Sequence, residues 1–171
     1  MPGAFARELP AERPRTPDAA YGVPTDGGSM IDWAHTVGRL RDAEAYWLAT
    51  TRPDGSPHVV PVWGVMVDDD LYLETGAANT AKVRDLAVHS AVAVHLDGVN
   101  DAVILHGRAI ACRPDTALGG MLATAFAAKY PNYAPTASDW ADGGLHRIEP
   151  QVMLAWRDMP SATRWRFPAL V

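Results

Sequence analysis

The run from His58 to Val67, "HVVPVWGVMV", constrains the fold more than any other part of the chain. His58, Val60, Val62 and Met66 fall on one side of an extended segment, and Val59, Pro61, Trp63 and Val65 on the other. Both sides are apolar, so the segment reads as a strand covered on two faces. Pro61 stands in its middle. A proline withholds a ladder N–H, which confines it to an edge, a bulge or a ligand site. Gly64 removes a side chain nearby, so another group can approach the backbone there. In a small barrel one face of such a strand fills the interior, leaving the other for a partner subunit, a helix or a flat aromatic ligand.

The flanking pattern supplies the rest of a barrel. "YWLATT" and the proline strand are joined by "RPDGS", in which proline, aspartate and glycine form a tight turn. A second turn at Asp68 to Asp70 leads into "LYLET", giving three consecutive antiparallel strands. "AVAVHLDGVNDAVILHGRAIA" is a further hairpin turning at Asn100 and Asp101, and "LHRIEPQVMLAW" is a strand pair or one bent strand broken at Pro150. Helices are expected from near Asp32, where Trp33, Val37 and Leu40 recur at helical spacing, after Asn79 or Thr80 as N-cap, and in "PDTALGGMLATAFAAKY", opened by Pro114 at an early helical position. The fold class is therefore mainly β: a small barrel of about six antiparallel strands with two to four helices. Residues 1–30, rich in proline, glycine and charge without periodicity, read as a flexible arm, and residues 31–171 as one domain.

Composition excludes several functions. With a net charge of -5 there is no general basic field to attract nucleic acid or a membrane surface. The single cysteine, Cys112, rules out an internal disulfide and reads as a buried structural thiol in a reducing compartment. No apolar run approaches the roughly 20 residues of a membrane span, and the N-terminus lacks the apolar core of a secretory signal, so a cytoplasmic location is expected. No Walker loop, GxGxxG after a strand, HExxH or GxSxG is present. A tight turn on Asn100 and Asp101 sets His95 opposite His106, on a polar face with Asp97 and Arg108. Two histidines fall short of a zinc site, so no metal is expected.

The segment "TGAANTAKVRDL" carries the best local argument for a ligand. A helix start leaves free N–H groups and a dipole that favour an anion, and Gly76 lets the backbone come close. Lys82 lies in the first turn, where a cation opposes the dipole and a bound phosphate reverses that preference. A solvated lysine on an exposed helix face is the alternative.

Turn, proline strand and helix start occur in an order that resembles the split β-barrel flavin and deazaflavin proteins, the superfamily of pyridoxamine 5'-phosphate oxidase. The resemblance runs from about Ala45 to Arg108 and resumes at "MPSATRWRF". "PVWG" and the compact size are similar to the branch that uses the deazaflavin coenzyme F-420. The glutamate, phenylalanine, tryptophan, glutamine segment of the pyridoxine phosphate oxidases is absent, which disfavours vitamin B6 oxidation.

This resemblance implies a homodimer with a cofactor in each groove between subunits. The backbone of Val60, Pro61, Val62 and Trp63 would border the flat ring, Thr75 and Gly76 would line the path to the phosphate, and Asn79, Thr80 and Lys82 would hold it. Arg164 and Trp165 of the partner chain would close the groove. The implied activity is hydride transfer between F-420 and a small electrophilic substrate. Alternatives are an FMN oxidoreductase, or a non-catalytic flavin or haem protein in which His95 and His106 gain interest as ligands. No protein acid or base is demanded, although His58 could donate a proton if it faces the groove.

Overall fold

The computed structural model describes residues 2–15 and 22–168. In chain order the elements are β1 (Ala11–Glu12), α1 (Trp33–Asp42), β2 (Tyr46–Thr51), β3 (Pro57–Val67), β4 (Asp70–Glu74), α2 (Ala81–Val88), β5 (Ala91–His95), β6 (Ala102–Cys112), α3 (Thr116–Lys129), β7 (Leu145–Trp156) and β8 (Thr163–Arg166). The sheet order β7-β4-β3-β2-β5-β6 closes because β6 also pairs with β7, so six antiparallel strands form a barrel. β8 continues the sheet from β7, and β1 adds to β8.

Local chemistry explains the turns. Gly55 supplies a φ of 85° between β2 and β3. Asp68 and Asp69, at φ 49° and 59°, take the two left-handed positions of a tight hairpin that sets Val67 opposite Asp70. The β3 alternation then divides two cores. Val62 joins Tyr46, Leu48, Leu71, Leu73, Leu105 and Ile148 inside the barrel, with α1 packed on the same cluster through Trp33, Val37 and Leu40. Val65 and Val67 point outward beneath Leu122 and Phe126 of α3.

Three expectations are corrected, and the open alternative at β7 is decided in favour of one bent strand. The described part of the N-terminal segment is not a free arm. Phe5 and Leu9 are buried in the main core, the Phe5 amide donates to Asp69 O at 2.9 Å, and Ala11 and Glu12 pair with Trp165 and Arg164. Two isolated apolar residues carry no periodic signal, yet Phe5 packs against Trp33 and Phe167 and Leu9 joins the same core. Residues 16–21 of that segment lie outside the described residues. Second, the β5–β6 loop is longer than a turn on Asn100 and Asp101 and contains Gly98 at φ 100°, so His95 pairs with Ile104 while His106 pairs with Ala93. The two histidines do not face one another. β7 is one strand. Pro150 sits opposite Gly107 and Val152 opposite His106, leaving Gln151 as the extra residue of a bulge whose carbonyl accepts from Phe167 N. Third, Asp115 rather than Pro114 opens α3, its side chain accepting from the Leu118 amide at 2.9 Å.

Candidate functional site

β3 has two different neighbours along its length. Residues 57–62 pair with β2, and residues 63–67 pair with β4, which ends at Glu74 opposite Trp63. Gly64 N–H and C=O both bond the Tyr130 hydroxyl at 3.0 Å, so even-numbered polar groups point away from β4 and odd-numbered ones toward it. Pro61 is odd-numbered and lies beyond the end of β4. Its missing donor therefore falls on an open edge. Gly64 makes room within the chain itself: a Cβ there would come 2.6 Å from Leu73 and 2.9 Å from the Tyr46 ring.

Of the four ring-bordering candidates, Val60 and Val62 turn their side chains inward and offer only backbone, whereas Pro61 and Trp63 face outward. Val59 and Trp63 are 48% and 45% exposed. Trp63 stacks on Tyr130 at 4.8 Å and tilts against Tyr133 at 5.3 Å, so its plane is held despite its exposure. His58 faces inward, away from Pro61 and Trp63, with Nδ1 3.1 Å from Asp85 Oδ2. It does not face the open edge as a proton donor there must.

After β4 the chain turns sharply at Gly76, φ 77°, and enters α2. Thr75 is buried, its N–H and hydroxyl both directed at Gly144 O at 2.7 and 3.1 Å. Thr80 is the N-cap but makes no capping bond, because its hydroxyl donates to Thr75 O at 3.1 Å. The α2 start thus lacks a side-chain cap and has no acid in its first turn. Lys82 Nζ reaches back to within 3.9 Å of the place a Cβ on Gly76 would occupy, and it makes no ion pair among the described residues. Asn79 is exposed, and its carbonyl accepts from Arg84 at 2.7 Å. Gly76, Thr80 and Lys82 are brought together, with Asn79 at the rim.

The C-terminal pair is corrected. Trp165 is fully buried in its own chain, edge-on to Trp33 at 5.7 Å, and cannot close a neighbour's groove. Strand alternation turns Arg164 outward, where it makes two 3.1 Å bonds to Glu12. Its guanidinium is already committed.

Two polar groupings carried little signal in the sequence. Asp85, buried on α2, accepts from Thr50 at 2.8 Å and faces His58, fastening α2 to β2 and β3. Glu74 ends β4 in a cavity of about 310 Å³ lined also by Gly76, Tyr133, Trp140 and Gly144. Burial pushes its carboxyl above the usual range against the opposing pull of the Tyr133 phenol, whose own ionisation is pushed up by burial and by Glu74. A glutamate closing the otherwise apolar "LYLE" was the available clue. On the far side of the 142–144 segment a cavity of about 580 Å³ is lined by Val83, Leu86, Ala109, Cys112 and His146. Burial raises the Cys112 thiol and lowers His146. No helix among the described residues is long and apolar enough to cross a membrane, and no group of three or more metal-ligating side chains is gathered among them.

The family model described as pyridoxamine 5'-phosphate oxidase matches residues 34–157, well over half of the chain. The chain belongs to that family. Solved structures with the same fold include a conserved hypothetical protein from Mycobacterium tuberculosis, 21% identical with a TM-score of 0.65 over 78% of this chain and 89% of the other. An F-420 reductase is 22% identical, with a TM-score of 0.50 over 66% and 90%. The haem storage protein HutZ from Vibrio cholerae is 15% identical, with a TM-score of 0.56 over 71% and 90%. No curated protein matches. Within this pyridoxamine 5'-phosphate oxidase family member, the uncapped helix start, the Gly76 cradle and the unpaired Lys82 fit a phosphate, and the open edge at Pro61 beside the fixed Trp63 plane fits a flat ring.

Proposed function

We propose that this protein is an oxidoreductase that binds the deazaflavin coenzyme F-420 and transfers hydride between it and a small electrophilic organic substrate. The observation that carries the reading is Lys82, set at an uncapped helix start beside Gly76, within one short loop of the Trp63 to Glu74 pair. A charge-assisted contact from Lys82, with the first-turn N–H groups, holds the phosphate. Pro61 and Trp63 border the ring, and Asn79 lies at the phosphate rim. When bound, the coenzyme supplies the hydride chemistry, and the protein orients it and excludes water. The similarity of the fold to an F-420 reductase supports this choice.

The exposed strip with Val59 and Trp63 is the face on which a second copy of the chain sits, completing the groove as a homodimer. Reduced deazaflavin, mixed with the protein and a panel of conjugated enones and nitro compounds, is expected to lose its reduced-state absorbance. Absence of turnover across the panel, with the coenzyme bound, contradicts the proposed activity.

A further inference from the structure

Resting on the hydride-transfer reading, we infer that Glu74 is the general acid of the reaction, donating a proton into the cavity that it lines with Tyr133. Glu74 is the Cα partner of Trp63, so the two side chains stand on the same face of adjacent strands. Trp63 in turn packs against Tyr133, and Glu74 and Tyr133 line the same cavity of about 310 Å³ together with Gly76. The acid therefore lies between the ring-bordering strand and the phosphate loop, within reach of a substrate seated in that cavity.

Glu74 is also built to be a neutral acid. Its Oε2 is enclosed and has no hydrogen-bond partner among the described residues. Ionising a carboxyl whose oxygen has no donor costs the desolvation of a charge, whereas a protonated carboxyl needs less. Desolvation raises its affinity for a proton, with Asp139 adding in the same direction and the nearby Tyr133 hydroxyl and Lys82 opposing. Tyr130, at the end of α3, senses the Glu74 charge, and Asp142 lies on the cavity wall. These are the ionisable neighbours from β4, α2, α3 and the following loop.

A conjugated carbonyl substrate takes up both hydrogens across its C=C bond. A hydride from the reduced deazaflavin forms the C–H bond at the β carbon, the C=C π pair moves to the α carbon, and that carbon takes the proton from Glu74. The substrate gains two electrons and two hydrogens. The coenzyme loses two electrons and, besides the hydride, one proton to solvent, and a solvent proton returns Glu74 to its acid form. Because the acid must be protonated, reduction slows as pH rises through the Glu74 titration.

Two measurements test this. Infrared pH-difference spectra of the coenzyme-free protein are expected to show a protonated-carboxyl band that persists above the usual glutamate range of about 4.3 and is missing in Glu74→Gln. In the loaded protein, Glu74→Gln is expected to bind the deazaflavin as wild type does but to reduce substrate on the order of 100-fold more slowly, without the alkaline limb of the pH profile. Tyr133→Phe removes the hydroxyl that opposes the rise in the carboxyl's proton affinity and moves that limb to higher pH, a shift that mere loss of packing does not produce. A Glu74 band that titrates with ordinary carboxyls, or a loaded Glu74→Gln that keeps the wild-type rate and profile, overturns the inference alone. Failure of wild type to bind the coenzyme overturns the hydride-transfer reading and the role of Glu74 with it.

Discussion

Asp85 Oδ2 lies 3.1 Å from His58 Nδ1, and the same oxygen accepts from Thr50 at 2.8 Å. One buried carboxylate thus ties α2 to both strands of the first hairpin and fixes where Lys82, one helical turn earlier, points. Asp85→Asn is expected to weaken binding of a phosphorylated cofactor by shifting α2, while Lys82→Ala weakens it about tenfold or more by removing a charge-assisted bond of roughly 1.5 to 3 kcal/mol. Thermal melts and cofactor titrations together separate the two: Asp85→Asn lowers both stability and affinity, Lys82→Ala affinity alone. Equal affinity of Lys82→Ala and wild type removes Lys82 from the site.

Phe5 and Trp165 lie in one aromatic cluster with Trp33 and Phe167. Each truncation to alanine is expected to cost about 3 to 5 kcal/mol, the range for deleting a large buried ring. Chemical denaturation measures it. A loss well below 1 kcal/mol for Phe5→Ala would mean that the N-terminal segment does not seal the core.

The contrast between these residues and the first hairpin shows what the sequence makes legible. Gly55, the Asp68–Asp69 turn and the apolar alternation around Pro61 each announce a local geometry, so the hairpins and the barrel follow from them. Phe5 and Leu9 are single apolar residues in an irregular segment, and only the shape of a distant core gives them a place. Trp165 is placed at a partner's groove only by the family resemblance, and strand alternation instead buries it and turns the flanking arginines to the other face. The His95 and His106 register depended on loop length, which Gly98 changed. Lys82 stands out in the sequence because its charge opposes the helix dipole, whereas Asp85 and Glu74 are marked only by neighbours that are distant in sequence.

Burial holds the Lys129 ammonium down to about 8 from its ordinary 10.5, although it donates to Gly64 O at 2.9 Å and to the Tyr46 hydroxyl at 3.2 Å. Between these values the unfolded chain binds a proton that the folded one does not, so stability rises with pH there and is lost as pH falls through the folded value. Above pH 10 the buried tyrosines oppose further gain, because burial pushes Tyr46 and Tyr130 upward. Denaturation midpoints at pH 8 and 10 are expected to rise for wild type and to stay level for Lys129→Met. Parallel changes in the two proteins contradict it.

The outward face of β3 supports a prediction about assembly. Sedimentation at micromolar concentration is expected to show a dimer, and Val59→Asp, which places a charge on a strip exposed in the single chain, is expected to yield a folded monomer. Wild type sedimenting as a monomer with cofactor bound rejects the dimeric groove.

Lys82 alone cannot decide the identity of the cofactor, since deazaflavin and FMN both present a phosphate to such a helix start. Discrimination falls to the ring environment of Pro61 and Trp63 and to the scarcity of further cations: among the described residues Arg164 is bound to Glu12 and Arg84 turns back on Asn79 O. Equilibrium titration of the coenzyme-free protein with F-420 and with FMN is the direct measurement. Tighter binding of F-420 is the predicted result; FMN bound tenfold more tightly, a difference of about 1.4 kcal/mol, contradicts it.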